Sequence, residues 1–435
     1  MKIGKYIDSN EAGLVGVGAT VEWEECDRPP LDLHFRTDPR YGDGLWHNPN
    51  AFLLASIFPA MHRGERRVLV EGKVCPELRN GLATAMLYVR QMSHRNRLPS
   101  IEIEATQGFE PAQPLPKPRG ACFLSGGVNS LATLRCNRTA FPLSHPHSVR
   151  DALFVDGFER GGDGPPGDTS QTFRSYLPGL TKLAADTSAE LIPVYTNLRR
   201  LEDDAIFFAV ESGGAAMAAV AHVLSRRITT AFVASSVSLH DHGLLASSPL
   251  LDPGFAGSAD LRIAYDGSRL RRLEKIGLIS DWDAALQILR VCNDPFLEKG
   301  VLNCGRCGKC VLTMIGLLVF DRLVSSGPFE TDDVTLDLLQ AVGSFAVSGP
   351  SKDSKARLVD PLYAISTNDV DAWRELVDPL RRIGRTKLSE AIKTKLSDYD
   401  QNTHRMTERG GRGLLSRFDR KWLGGAARHV LRGDG

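Results

Sequence analysis

Two short stretches of this 435-residue chain carry residue types and spacings that chemistry can use. The first is Phe123-Leu-Ser-Gly-Gly-Val-Asn-Ser130, which follows a short apolar run and opens a helical one. The paired glycines Gly126 and Gly127 let the backbone come close to an anion. A helix beginning near Val128 turns its unpaired N–H groups and positive partial charge toward that anion. Leu124 leads into the turn, Ser125 and Ser130 add hydroxyl donors, and Asn129 adds a carbonyl acceptor. Together these residues describe a cradle for pyrophosphate. They are not a Walker loop, because the Gly-x-x-x-x-Gly-Lys spacing and its lysine are missing. The bland alternative is an ordinary Gly-Gly turn between a strand and a helix.

The second stretch is a set of four cysteines, Cys292, Cys304, Cys307 and Cys310, half of the eight in the chain. The run Asn303-Cys-Gly-Arg-Cys-Gly-Lys-Cys310 has the look of a zinc knuckle. Its glycines permit tight turns, and its basic side chains offset the negative charge of four thiolates. Such clustering in a long chain points to metal ligation rather than to a disulfide framework. Tetrahedral Zn2+ is the default for an all-sulfur site. An iron–sulfur cluster and four free buried thiols are the alternatives. With all four positions filled by protein, the metal is expected to be structural.

Other candidates come from position. Ligands of doubly wound sheets bind at the carboxyl ends of the strands. That nominates Asp156 and Gly157 after the second apolar run of the central region, and Ser235 and Ser236 after the fourth. His240-Asp241-His242, just beyond, suits metal binding or acid–base work, or is simply a polar loop. Cys122 and Cys136 read as core thiols rather than nucleophiles.

The elements that must position these groups follow from periodicity. Up to residue 110 the pattern is that of a small α/β domain. Leu31 to Arg36, Arg67 to Val70 and Ile101 to Ala105 read as strands. Pro49 to Met61, with Asn48 or Asn50 as cap, and Glu77 to Met92 read as helices. Four prolines between Pro111 and Pro118 suggest a boundary. From 119 to 324, apolar runs at Ala121–Leu124, Ala152–Val155, Glu190–Tyr195, Thr229–Ala234 and Leu261–Ala264 alternate with helical stretches such as Asn129–Arg135 and Gly213–Leu224. This predicts an α/β domain with a doubly wound parallel sheet of five strands. A mobile loop is expected over Gly157–Asp168. From 325 to 435 the chain reads as a helical region, with helical spacing over Asp332–Val347, Asn368–Asp398 and, more weakly, Gly413–Gly435.

Composition sets the frame. Hydrophobic residues make up 42% and charged residues 24%, enough for packed cores. The length suggests two to four domains at roughly 100–200 residues each. A net charge of +1 gives no field that would favour nucleic acid or an acidic membrane. No stretch has the roughly 20 apolar residues of a membrane span, and Met1 to Asn10 is too polar for a signal peptide. A cytoplasmic location is the expectation.

The turn Ser125-Gly-Gly-Val-Asn-Ser130 resembles the Ser-Gly-Gly-x-Asp-Ser signature of the PP-loop ATP pyrophosphatases. The cysteine order, and its distance from the turn, resemble those of one branch, the 7-cyano-7-deazaguanine synthase (QueC) family. The segment Tyr265-Asp-Gly-Ser-Arg-Leu-Arg-Arg-Leu-Glu-Lys275 is similar to a QueC segment with Leu-x-Lys-x-Glu, with Arg272 in the place of the lysine and Glu274 in that of the glutamate. The resemblance covers Arg119 to Val324. It implies an adenine nucleotide alpha-hydrolase-like fold, and ATP, Mg2+ and Zn2+ as cofactors. Leu124 to Ser130 and Ser235 would hold the nucleotide, with Asn129, Arg272 and Asp156 as catalytic residues. The implied reaction is adenylation of a carboxylate of 7-deazaguanine type, release of pyrophosphate, and displacement of AMP by ammonia or an amine. In the family an aspartate stands where this chain has Asn129, which keeps an acceptor but loses the charge that helps hold magnesium. QueC itself lacks the flanking regions, and QueC-like proteins with extra domains occur in bacterial anti-phage operons. The added regions therefore suit a protein partner or protein substrate, or a homodimer. A nucleotide-binding scaffold and a tRNA thiolase are the other functions the resemblance leaves open.

Overall fold

A strand hairpin opens the chain. β1 (Lys2–Glu11) and β2 (Leu14–Glu22) pair antiparallel around Ala12 and Gly13, whose φ angles are 53° and 77°. Two left-handed residues match a tight turn to the twist of its strands. β3 (Leu31–Thr37) continues the antiparallel set. α1 (Pro49–His62) leads to β4 (Arg67–Val70), and α2 (Pro76–Met92) leads to β5 (Glu102–Ala105). β4 pairs parallel with β1, and β5 with β4. Asn48 caps α1 by accepting from the N–H of Asn50 at 3.0 Å. Every residue of α1 from Asn50 to Met61 is buried, as expected of a helix apolar on all sides.

The structure is a computed structural model. It describes residues 1–92, 100–115, 117–158, 171–204, 207–236, 247–257, 259–292, 301–342 and 370–401. Contacts divide the chain into two compact units, Met1–Asp333 and Val334–Gly435.

Five parallel strands make the second half of the first unit. They are β6 (Gly120–Phe123), β7 (Val149–Asp156), β8 (Glu190–Thr196), β9 (Thr230–Ala234) and β10 (Arg262–Asp266). Their order is β10-β9-β6-β7-β8. Between them come α3 (Val128–Ala140), α4 (Gln171–Asp186) and α5 (Gly213–Val223). The order reverses between β6 and β9, the place where a doubly wound sheet opens a crevice.

This set is not a separate five-stranded sheet, which corrects the sequence expectation. The free edge of β8 pairs antiparallel with β3, Phe35 opposite Thr196 and Thr37 opposite Val194. One mixed ten-stranded sheet results, in the order β10-β9-β6-β7-β8-β3-β2-β1-β4-β5. Residues 1–110 and 119–324 therefore share a sheet and a compact unit. The proline segment is a crossing rather than a boundary. β5 and β6 stand seven strand spacings apart, about 34 Å at roughly 4.8 Å each. An extended, proline-stiffened chain covers such a distance well.

At the amino ends of the parallel strands, four charges close on one another. The carboxylate of Asp151 is fully buried and accepts from Arg119 at 2.5 and 2.7 Å and from Arg227 at 2.9 and 3.2 Å. Glu190 takes the same two arginines at 3.2 and 3.1 Å. The ends of β6 to β9 are tied together by these pairs.

Two longer helices follow β10, α6 (Arg272–Ser280) and α7 (Gly308–Val319), with a single turn of helix, Asp283–Leu286, between them. α6 packs against α3 and α7. In the second unit the described residues form α8 (Leu336–Ala341), α9 (Val370–Arg382) and a helix over 386–401, with no strand among them. Leu380 and Ile392 are buried, and Ser389 Oγ donates to Val377 O at 2.7 Å. His240-Asp241-His242, most of Gly157–Asp168 and the stretch Gly413–Gly435 lie outside the described residues.

Candidate functional site

The turn after β6 takes the form its glycines allow. Gly126 has φ +74°, and a Cβ there would lie 2.0 Å from the Tyr176 hydroxyl, so only glycine fits. Gly127 precedes α3 in extended conformation, and no side chain caps the helix. Ser130 Oγ accepts from Ser125 N at 3.2 Å and donates to Gly127 O at 3.0 Å. Ser125 Oγ lies 3.3 Å from Ser130 Oγ and 3.4 Å from the amide of Gly127. The serine pair braces the turn, and no side chain caps the first amides of α3, the kind of helix start that can take an anion. Leu124 is buried and ties the turn to the sheet by donating to Leu153 O at 2.9 Å.

α6 brings two cations to the same edge. Its entry is fixed by the Arg271 N–H, which donates to Glu274 Oε2 at 2.7 Å. Arg272 Nη1 donates to Asn129 Oδ1 at 3.1 Å, so two residues 143 positions apart meet. Lys275, 2% exposed, donates to Ser235 O at 2.8 Å and to Ser235 Oγ at 2.9 Å. Ser235 N–H in turn donates to Asp266 O at 2.7 Å at the end of β10. Tyr265 also hydrogen-bonds Ser235, and its phenol is pushed up to about 12, chiefly by burial.

Asp156 ends β7, opposite Tyr195 on β8, two strands from β9. It shares the carboxyl edge with the turn. Gly157 follows it, and Ser236 lies exposed after Ser235. Cys122 is fully buried in β6, its thiol pushed up to about 12 by burial, which makes it a core residue. Cys136 in α3 is raised by burial as well.

The four cysteines converge. Their sulfurs all lie within 4.8 Å of one another, with Cys292–Cys307 and Cys304–Cys310 at 3.9 Å. A tetrahedron with metal–sulfur bonds of about 2.3 Å has edges of about 3.8 Å, so one ion fits all four thiols. A disulfide needs about 2.05 Å, and all four are free thiols. The Cys307 amide donates to Cys304 Sγ at 3.3 Å, and Gly305 at φ +69° makes the turn between them. Crowding raises the thiols: Cys307 is pushed up to about 12, first by its hydrogen bond to Cys292, and Cys310 is raised by its bonds to Cys292 and Cys307. A bound cation reverses that preference, because it takes the thiolate form.

Four residues of this site escaped the sequence reading. Lys275, rather than Arg272, is the buried cation on Ser235. Tyr176 seats Gly126 and donates to Ile288 O. The Arg290 N–H donates to Gly126 O at 3.1 Å. Asn303 is buried and holds Leu289, Val291 and Cys292. Lys275 closes the segment that begins at Tyr265, Asn303 precedes Cys304 and Arg290 lies two before Cys292, while Tyr176 stood near no motif.

Compared with protein-family models, with characterised proteins and with solved structures, the chain matches none. Among the described residues no helix is long and apolar enough to cross a membrane.

Proposed function

We propose that the chain is an ATP-dependent, AMP- and pyrophosphate-forming enzyme of the PP-loop type, close to QueC in its chemistry. The observation that carries this is the meeting of the Gly126-Gly127 turn, Arg272 on Asn129 and Lys275 on Ser235 at the switch point of a doubly wound sheet. The amides of the turn and of the start of α3 would take the β and γ phosphates. Arg272 and Lys275 would offset charge on the phosphate chain as pyrophosphate leaves. A substrate carboxylate oxygen attacks the α-phosphorus, the bond to the pyrophosphate oxygen breaks, and an acyl adenylate remains. Ammonia or an amine then displaces AMP. Magnesium arriving with ATP would bridge phosphate oxygens, with the Asn129 carbonyl as a neutral neighbour.

The metal proposed for the four thiols is Zn2+, held with no position open to water and therefore structural. A 7-deazaguanine-type carboxylate is the proposed acceptor, and modification of a protein partner in phage defence is the proposed setting.

One observation favours a second reading. Asn129 and Arg272 satisfy each other, as in a nucleotide-binding scaffold that has lost turnover. ATP labelled at the α-phosphate, incubated with deazaguanine carboxylates and ammonia, separates the two. AMP formed only when a carboxylate is present supports the enzyme. Tight ATP binding with no AMP under any condition supports the scaffold, and no ATP binding at all removes both.

A further inference from the structure

The segment from Ile288 to Cys292 bonds to two partners. Ile288 O accepts from the Tyr176 hydroxyl, and the Arg290 N–H donates to Gly126 O at 3.1 Å. Between and beyond them, Leu289 O accepts from Asn303 Nδ2 at 2.8 Å. The Val291 and Cys292 amides donate to Asn303 Oδ1 at 2.8 and 3.2 Å. The even positions 288 and 290 thus hold the glycine turn, while 289, 291 and 292 hold one buried asparagine. That asparagine is the residue before Cys304, and Cys292 at the segment's end is itself one of the four thiols.

We infer that Asn303 is a positioning residue that ties metal occupancy to the shape of the Gly126-Gly127 turn, so that metal and nucleotide favour each other's binding. The nucleotide half of this rests on the proposed function; the link between metal and turn does not. Gly126 is fixed twice from the same segment. Its carbonyl is held by Arg290, and its Cα lies against a tyrosine whose hydroxyl is held by Ile288. The segment in turn has its register set by Asn303. An ion shared by Cys292 and Cys304 keeps both ends of the asparagine clamp together. Without it, the Cys292–Cys307 and Cys304–Cys310 sulfurs meet at 3.9 Å through weak S–H contacts, which hold the two ends of the clamp less firmly than a shared ion does. Binding at one end therefore biases the other, and the coupling is reciprocal.

Hydrogen exchange on the full chain, loaded with metal, tests this without any substrate. The amides to follow are Arg290 and Leu131, which donate to Gly126 O and Gly127 O. Chelation is expected to speed their exchange about ten-fold, and Asn303→Ala to do the same with the metal still bound, while the β1–β2 hairpin stays protected. Asn303→Asp keeps the acceptor for Val291 and Cys292 and is expected to restore most of the protection. ATP affinity should fall about ten-fold in parallel, and ATP should raise metal affinity by the same factor. Unchanged exchange at Arg290 and Leu131 in Asn303→Ala overturns the inference, including the case in which chelation unfolds the whole chain. A turn that loosens in a protein that binds no ATP leaves the link standing and removes the nucleotide.

Discussion

The two ends of the same parallel strands are built on opposite rules. At the amino ends, Arg119 and Arg227 meet carboxylates, Asp151 and Glu190, and each cation has an anion within 3.2 Å. At the carboxyl ends, Arg272 and Lys275 rest on neutral oxygens, those of Asn129 and Ser235. A neutral acceptor orients a cation, whereas a buried carboxylate also pairs with its charge. The amino ends are held by ion pairs, and the cations at the carboxyl ends are oriented by the turn after β6 and by Ser235.

The largest effect should come from breaking the closed end. Asp151→Ala leaves Arg119 and Arg227 with the half-exposed Glu190 as the anion they share, and removing one partner of a buried pair costs about 3–5 kcal/mol. Since the arginines are 29% and 21% exposed, the lower end applies. Urea unfolding measures the loss. ATP affinity of the protein that remains folded should be unchanged, and an equal loss of affinity would mean the two ends do not act separately.

A buried carboxyl that meets hydroxyl and amide donors among the described residues behaves differently. Among the described residues Asp252 accepts from Ser247 Oγ at 2.6 Å and the Ser248 amide at 3.1 Å, and burial raises it to about 7 from 3.8. The folded state keeps this proton where the unfolded chain has released it. Its stabilisation is thus complete below about pH 4 and is lost as pH rises to about 7, a loss on the order of 2–4 kcal/mol. Asp252→Asn should gain stability relative to wild type across that window. His34, half-buried and lowered to about 4 chiefly by desolvation, bends the wild-type profile the other way, so the difference between variant and wild type is the quantity to measure. A difference that stays flat from pH 4 to 7 would falsify the assignment.

What the sequence displayed follows the same division. Runs whose pattern is set by burial were legible: Arg67 to Val70 forms β4 at those bounds, and the five apolar runs after residue 119 are the five parallel strands. β1 was not, because most of its residues are exposed or half-buried and its turn uses Ala12 where asparagine is the usual signal. The joining of β3 to β8 depends on partners 157 and more positions apart, which no local pattern carries. In the site, the glycine turn and the cysteines were visible by spacing. Lys275 was hidden because a lysine in a run of basic residues gives no sign that it alone is buried.

Removing that buried cation sharpens the contrast. Lys275→Met keeps the length and apolar stem, so the fold should tolerate it far better than Asp151→Ala. A charge-assisted contact is worth about 1.5–3 kcal/mol, which predicts about ten- to hundred-fold weaker ATP binding by calorimetry. Unaltered affinity would make Lys275 a structural prop for Ser235 and take it out of the site.

The smallest change asks whether the open end can be closed. Asn129→Asp places a carboxylate where Arg272 already donates at 3.1 Å, so the two become an ion pair like those at the amino ends. The arginine's charge is then spent on its neighbour, and ATP without magnesium should bind about ten-fold more weakly. The same carboxylate offers a ligand to magnesium, so adding Mg2+ should recover the affinity in the variant and change it little in the wild type. If AMP formation also appears only in the variant, the native asparagine marks a chain that binds nucleotide without turning it over. If the native chain already forms AMP, Asn129 is compatible with catalysis, and the variant shows only how its magnesium requirement is set.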